Sequence, residues 1–268
     1  MNAVTGLKTF LVPLVVFAAA AQSPLPPVRI ILVGDSTMAV KSGYGPGFCA
    51  NVVPEVTCLN MAKGGRSSGS YRAEGSWAQV MDQLRRNSEF EDTYVLIQFG
   101  HNDQPGRPGR STDLATEFPV NIKHYVEDVK STGAKPVLVT PLTRRSFRDG
   151  QLRNDLEPWA AATRKVATEE NVPVLDLNAE SVAAVQKMGP AEANTLAMAP
   201  PPPVIAASAP KTPVPSSAVV ERKGEAAPMF DYTHLGAKGA AFFGGMVADE
   251  LLREIPKLTP YFVRKSNS

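Results

Sequence analysis

Net charge, histidine, cysteine and long apolar runs are all scarce in this chain. Its 268 residues carry 28 Lys+Arg against 26 Asp+Glu, a formal net charge of +2. No Lys/Arg run of the kind that tracks phosphates occurs, so no nucleic-acid partner is expected. There are three histidines and two cysteines. No His/Asp cluster at ligand spacing stands out, which argues against a metal-dependent hydrolase and leaves no metal site to predict. Only one apolar run is long, Phe10 to Ala21, and it lies at the N-terminus. Aromatic residues are missing from Gly189 to Pro228, where Pro200–Pro203, Pro210, Pro213 and Pro215 accumulate. Such a stretch buries too little apolar surface to offset its ordering entropy. It reads as a disordered Pro/Ala-rich surface insertion over 189–228.

The rest is the composition of an ordinary globular protein, with 43% hydrophobic and 20% charged residues. Lys8, the apolar run and Ala18–Ala21 have the order of a secretory signal peptide, which places residues 1–21 outside the mature protein. The run is shorter than the ~20 apolar residues of a spanning helix. An uncleaved N-terminal anchor is the alternative. The mature chain is then a secreted protein, extracellular or periplasmic, that stays off the membrane, and a monomer is expected. Cys49 and Cys58 lie close together, and in an oxidising compartment such a pair forms a disulfide. Two reduced thiols of a cytosolic protein remain the other reading.

The strand signals are Val28–Val33, Val56–Leu59, Tyr94–Phe99, Pro136–Thr140 and Val172–Leu177. Their near-continuous apolar character predicts a parallel sheet buried on both faces. Helical faces fall between them: Trp77, Val80, Met81 and Leu84; then Phe118, Ile122, Tyr125, Val126 and Val129; then Trp159, Thr163 and Val166; and last Phe243, Val247 and Leu251. The alternation predicts one α/β domain over 28–258, a three-layer sandwich with five parallel strands in flavodoxin-like order 2-1-3-4-5.

Ligands of such sheets bind at the carboxyl ends of the strands. Gly34-Asp35-Ser36 follows the first strand, the Gly64-Gly65-Arg66 turn follows the second, and Gly100-His101-Asn102-Asp103 follows the third. Asp231-x-x-His234 precedes the last helix. Acyl transfer needs a nucleophile, a base, a group that orients the base, and oxyanion donors. Ser36, placed where a strand gives way to a helix, His234 and Asp231 can fill the first three roles. The Ser36 and Gly65 N–H groups and the Asn102 amide can fill the fourth. Asp35, Arg66 and His101 are candidate substrate contacts.

Each has a plainer reading. Ser36 and Asp231 could cap the helices that follow them, and Asn102 and Asp103 could be turn residues. His101 has no acidic partner at short spacing and is expected to pack or hydrogen-bond. His124 sits mid-helix at an exposed position. Arg66 could meet a substrate carboxylate or a structural acid. Gly65-Arg66-Ser67-Ser68-Gly69 matches the G-x-S-x-G elbow, which requires a strand, a sharp turn and a helix in immediate succession; here a Gly/Ser-rich loop through Gly75 is expected instead, so Ser67 is the weaker nucleophile.

The four blocks, in this order, resemble the signature blocks of the SGNH (GDSL-like) hydrolases. Within that group, NMAKGGRSSGSY (Asn60–Tyr71) and VLIQFGHND (Val95–Asp103) are similar to rhamnogalacturonan acetylesterases. The resemblance implies removal of acetyl groups from a pectic polysaccharide, without metal or organic cofactor. It also implies Ser36, Asp231 and His234 as triad, with Gly65 and Asn102 as oxyanion partners. A lipase, thioesterase or lysophospholipase of the same class is the second reading, and would need a long apolar pocket. A non-catalytic polysaccharide-binding protein is the third, though no triad member is missing.

Overall fold

Along the first strand the side chains alternate between two separate cores, and this sorts the whole chain into layers. In the computed structural model, which describes residues 25–199 and 230–263, β1 (Val28–Gly34) is buried throughout. Val28, Ile30 and Leu32 enter one apolar cluster, while Ile31 and Val33 enter the other. This is the period of two dictated by strand geometry. β3 (Asp92–Gln98) divides the same way, with Tyr94 and Leu96 on one face and Val95 and Ile97 on the other. Each such aliphatic side chain contributes roughly 1.5–3 kcal/mol on leaving water.

β1, β2 (Val56–Asn60), β3, β4 (Lys135–Val139) and the short β7 (Val174–Leu175) form the main sheet in the order β2-β1-β3-β4-β7. All four pairings are parallel. Counted along the sheet strands, this is the expected 2-1-3-4-5. A hairpin, β5 (Phe147–Arg148) with β6 (Gln151–Leu152), was not foreseen in the sequence and stands apart as a second sheet.

One face is covered by α1 (Gly45–Cys49), α6 (Leu177–Asn194) and α7 (Ala237–Glu254), through Phe48, Val185, Phe243, Val247 and Leu251. The other is covered by α2 (Ser68–Ala73), α3 (Ser76–Leu84), α4 (Phe118–Ser131) and α5 (Glu157–Glu169). Tyr71, Trp77, Tyr125 and Val166 are their main contributions. The anticipated apolar faces are the buried ones, save Met81, which is half-buried.

Three local expectations need correction. The last strand is shorter than Val172–Leu177, because Leu177 already opens α6. The stretch expected to be a loop up to Gly75 contains α2. The beginning of the Pro/Ala-rich segment is folded: Pro190 to Asn194 continue α6 beyond a kink at Gly189, and Ala193 and Leu196 are buried. Residues 200–228, like the proposed signal peptide, lie outside the described residues. Cys49 and Cys58 are joined by a disulfide that ties the end of α1 to β2, with Cα atoms 5.8 Å apart.

Candidate active site

Gly34 ends β1 where any side chain would strike the neighbouring strand: a Cβ there would lie 2.6 Å from the Gln98 carbonyl. The chain then turns through Asp35–Tyr44 before α1 begins at Gly45. Ser36 therefore sits in a turn and does not open a regular helix, which removes the helix-cap alternative. The capping acceptor here is Asp35, whose Oδ1 takes the Thr37 N–H (2.9 Å) and hydroxyl (2.8 Å). Ser36 itself is 8% exposed, at the edge of the interior.

A buried polar relay fixes this turn against β3. Tyr44 donates its hydroxyl to Gln98 Oε1 (2.9 Å), and Gln98 Nε2 donates to Thr37 Oγ1 (2.6 Å), which passes on to Asp35. Asp35 Oδ2 lies 3.2 Å from His101 Nδ1, and both side chains are buried. So the acidic partner of His101 comes from far along the chain, not from short spacing. Burial would push the Asp35 carboxyl up, but the neighbouring His101 and the Thr37 donors hold it below the ordinary carboxylate value.

The second block comes alongside. A Cβ on Gly64 would be 3.8 Å from Ser36 Cβ. Gly65 has φ +78°, a left-handed conformation that favours glycine. Arg110 Nη1 donates to its carbonyl at 3.3 Å. Arg66 is half-exposed and is spoken for within the protein: Nε lies 2.9 Å from Glu74 Oε2, and Nη1 donates to the Gly64 carbonyl (2.7 Å). Ser67 is fully buried as the N-cap of α2, its Oγ accepting from the Ser70 N–H at 3.2 Å in a capping box. No strand runs into it, since β2 ends at Asn60. Helix α2 does follow at once, but the hydroxyl is committed to the cap.

The third block is locked by Asp103. Its Oδ1 accepts from the Ser68 N–H (3.0 Å), the Ser68 hydroxyl and Thr112 Oγ1 (3.0 Å), and its Oδ2 from the Gly100 N–H (3.0 Å). Burial pushes this carboxyl up to about 6 despite those donors. Asn102, nearly buried, donates through Nδ2 to the Arg66 carbonyl (3.0 Å), so the second and third blocks are joined. An amide carries two N–H donors, and one of these stays available for another acceptor.

The fourth block closes the group. Asp231 Oδ2 accepts from His234 Nδ1 at 2.7 Å, while Oδ1 accepts the N–H groups of Thr233 (2.8 Å) and His234 (3.0 Å). Burial works against the charged form. The His234 ring and these backbone donors prevail and hold Asp231 far below the usual carboxylate range. Asp231 does not cap α7, whose N-cap is Gly236. The Leu235 N–H donates to the Ser42 carbonyl (2.9 Å), and Ser42 Oγ donates to the Ser36 carbonyl (2.7 Å). These two bonds couple the histidine segment to the serine turn. His124 is exposed on α4, away from the cluster.

Two features had no counterpart in the sequence reading. Arg144 and Arg145 are buried beyond the end of β4; Arg144 reaches Gln104, just after the third block, and Arg145 reaches the fourth. A groove of about 460 Å³ is walled by Ser70, Ala73, Arg110, Thr112, Val120 and Asn121, and Arg110 also donates to the Gly65 carbonyl. Among the described residues, no group of three or more His, Cys, Asp or Glu could hold a metal ion. No described helix is long and apolar enough to cross a membrane.

All four blocks fall within residues 32–241, the span matched by the family model "GDSL-like Lipase/Acylhydrolase family". The chain belongs to the GDSL-like lipase/acylhydrolase family. Among curated relatives, the "Probable rhamnogalacturonan acetylesterase YesY" of Bacillus subtilis (strain 168) is 30% identical over 168 residues, which is 60% of this chain and 75% of that protein. "Rhamnogalacturonan acetylesterase RhgT" of the same organism is 33% identical over 178 residues, 63% of this chain and 73% of that protein. Among solved structures, protein YXIM of Bacillus subtilis aligns with a TM-score of 0.60 at 22% identity over 87% of this chain; the chain spans 58% of that structure. Axe2, an acetylxylan esterase from Geobacillus stearothermophilus, aligns with a TM-score of 0.54 at 17% identity, covering 85% of this chain and 93% of that one. These likenesses give the GDSL-like fold, in agreement with the parallel sheet and its strand order.

Proposed function

We propose that this carboxylic ester hydrolase is a secreted serine acetylesterase that removes O-acetyl groups from a plant cell-wall polysaccharide, with pectic rhamnogalacturonan as the preferred polymer. The observation that carries the mechanism is the pairing of Asp231 Oδ2 with His234 Nδ1 at 2.7 Å, on a segment bonded to the Ser36 turn through Ser42.

Asp231 fixes the imidazole with its proton on Nδ1, so Nε2 is free to act as base. Ser36 Oγ attacks the acetyl carbonyl carbon as Nε2 takes its proton. The tetrahedral oxyanion is received by the Ser36 and Gly65 N–H groups and the Asn102 amide. His234 returns the proton to the departing sugar hydroxyl, leaving Ser36 acetylated. A water, deprotonated by His234, then attacks the acyl carbon, and His234 gives that proton to Ser36 Oγ as the C–Oγ bond breaks and acetate leaves. No step draws on a metal or an organic cofactor. Asp35 and His101, both buried, brace the serine turn from below. Arg66, already paired with Glu74, shapes the oxyanion loop.

The polymer reading draws on the curated relatives named as rhamnogalacturonan acetylesterases. Secretion is favoured by the N-terminal Lys8 and apolar run together with the Cys49–Cys58 disulfide.

Acetate release from acetylated rhamnogalacturonan, acetylated xylan and a p-nitrophenyl ester series of rising chain length tests the reading. Fastest release from the pectic polymer and from acetyl esters is expected. A preference for long acyl chains would favour the lipase class, and fastest release from xylan would move the substrate.

A further inference from the structure

The turn that carries Asp231 and His234 is held from both sides. Inside, Asp231 Oδ1 collects the N–H groups of Thr233 and His234. Outside, one residue collects the carbonyls. Arg145 donates through Nη2 to the carbonyls of Asp231 (3.1 Å) and His234 (2.8 Å), and through Nη1 to that of Thr233 (3.3 Å). Its backbone N–H donates to the carbonyl of Tyr232 (2.9 Å). Every carbonyl from 231 to 234 therefore accepts from Arg145, an arginine with no solvent exposure.

We propose that Arg145 is a positioning residue of the reaction, setting the attitude of the Asp231–His234 pair toward Ser36. The inference rests on the triad reading above. Burying a guanidinium is costly, and burial pulls its pKa down to about 10. A cation near His234 also opposes the imidazolium that forms during acyl transfer. Arg145 is attracted to the Asp231 carboxylate but opposes the imidazolium and is costly to bury, so its chief benefit is geometric. With Oδ1 occupied by backbone and the carbonyls drawn outward, Oδ2 is the oxygen left facing the imidazole. A planar fork with five donors can serve three carbonyls at once; the tetrahedral ammonium of lysine, on a thinner stem, cannot reproduce that spread. Catalytic geometry tolerates errors of only about 1 Å before rates fall by as much as ~100-fold.

The test is Arg145→Lys in the full-length protein, with Ser36→Ala and Asp231→Asn as references. Three quantities are read on p-nitrophenyl acetate and by spectroscopy: kcat and KM separately, cooperative thermal melting, and the low-field proton resonance of the His234 Nδ1–H, assigned by its loss in D231N. The expected result is a cooperatively folded R145K with KM within twofold of wild type. Its kcat should fall at least tenfold, and its low-field resonance should be shifted or broadened. Wild-type kcat within threefold, or a loss of kcat with the resonance unchanged, would overturn the inference. So would an R145K that no longer folds, since the arginine would then be a residue of the fold alone. If S36A keeps activity, the triad reading fails and this inference falls with it; if S36A is dead and R145K behaves as wild type, only the positioning role fails.

Discussion

Asp231 divides its two oxygens between two tasks: Oδ2 takes the His234 Nδ1–H at 2.7 Å, and Oδ1 takes the backbone of the same turn at 2.8 and 3.0 Å. A carboxylate with three donors is at once a structural clasp and the orienter of the base. Asp231→Asn keeps the size but offers an amide, which disturbs the imidazole tautomer. A loss of roughly 10³–10⁴ in kcat is expected, with little change in KM. Steady-state kinetics on an acetyl ester checks this, and a loss below tenfold would remove Asp231 from the triad.

The same clasp sets a pH behaviour. Asp231 has a folded pKa below its unfolded one, so its contribution to stability is present above the ordinary carboxylate range and is lost as pH falls through the depressed value. Asp231 therefore remains charged throughout mildly acidic conditions. The wild-type advantage over Asp231→Asn in denaturant unfolding should therefore hold from pH 7 to about 5 and shrink as pH falls below about 4, and parallel curves would contradict it.

Asp103 has the opposite sign. Its carboxyl is raised from 3.8 to about 6 by burial, so the folded state binds its proton more tightly than the unfolded state does. The stability it supplies is full below the unfolded value and is lost as pH rises through about 6. The shift of about two units corresponds to about 3 kcal/mol. Denaturant unfolding of wild type and Asp103→Asn from pH 4 to 8 reads this directly. The wild-type advantage should be greatest at pH 4 and shrink by about that amount toward pH 8. Parallel curves would contradict it.

Asn102 spends one donor on the Arg66 carbonyl and keeps one for an oxyanion. Asn102→Ala should lower kcat by roughly 10²–10³, the usual loss for one oxyanion donor. KM should stay near wild type. A fall in stability without a fall in kcat would assign Asn102 to the loop alone.

How much of this could be read from the chain depends on how far apart the partners lie. The sheet was legible because β1, β3 and β4 are apolar on both faces, a pattern that only a doubly covered parallel sheet satisfies. The Asp231–His234 pair was legible because three residues separate its members. The partner of His101 was not, because Asp35 lies 66 positions away and meets it only after β1 and β3 pair. Gln98, polar within the apolar run of β3, marks the site from the sequence: it anchors the serine turn through Thr37. Arg144 and Arg145 likewise follow a buried strand end, where charge is unexpected. Helix α2 is not legible because SGSYRA holds a single large apolar anchor, Tyr71, and its start is dictated by the Ser67–Ser70 capping box.

The most direct measurement compares Ser36→Ala with Ser67→Ala for acetate release from acetylated rhamnogalacturonan. Ser36→Ala should abolish release. Ser67→Ala, which removes a helix cap worth ~0.5–2 kcal/mol, should melt at a lower temperature and keep most of its activity. Release that persists in Ser36→Ala and disappears in a folded Ser67→Ala would contradict the assignment and transfer the nucleophile to the G-x-S-x-G serine.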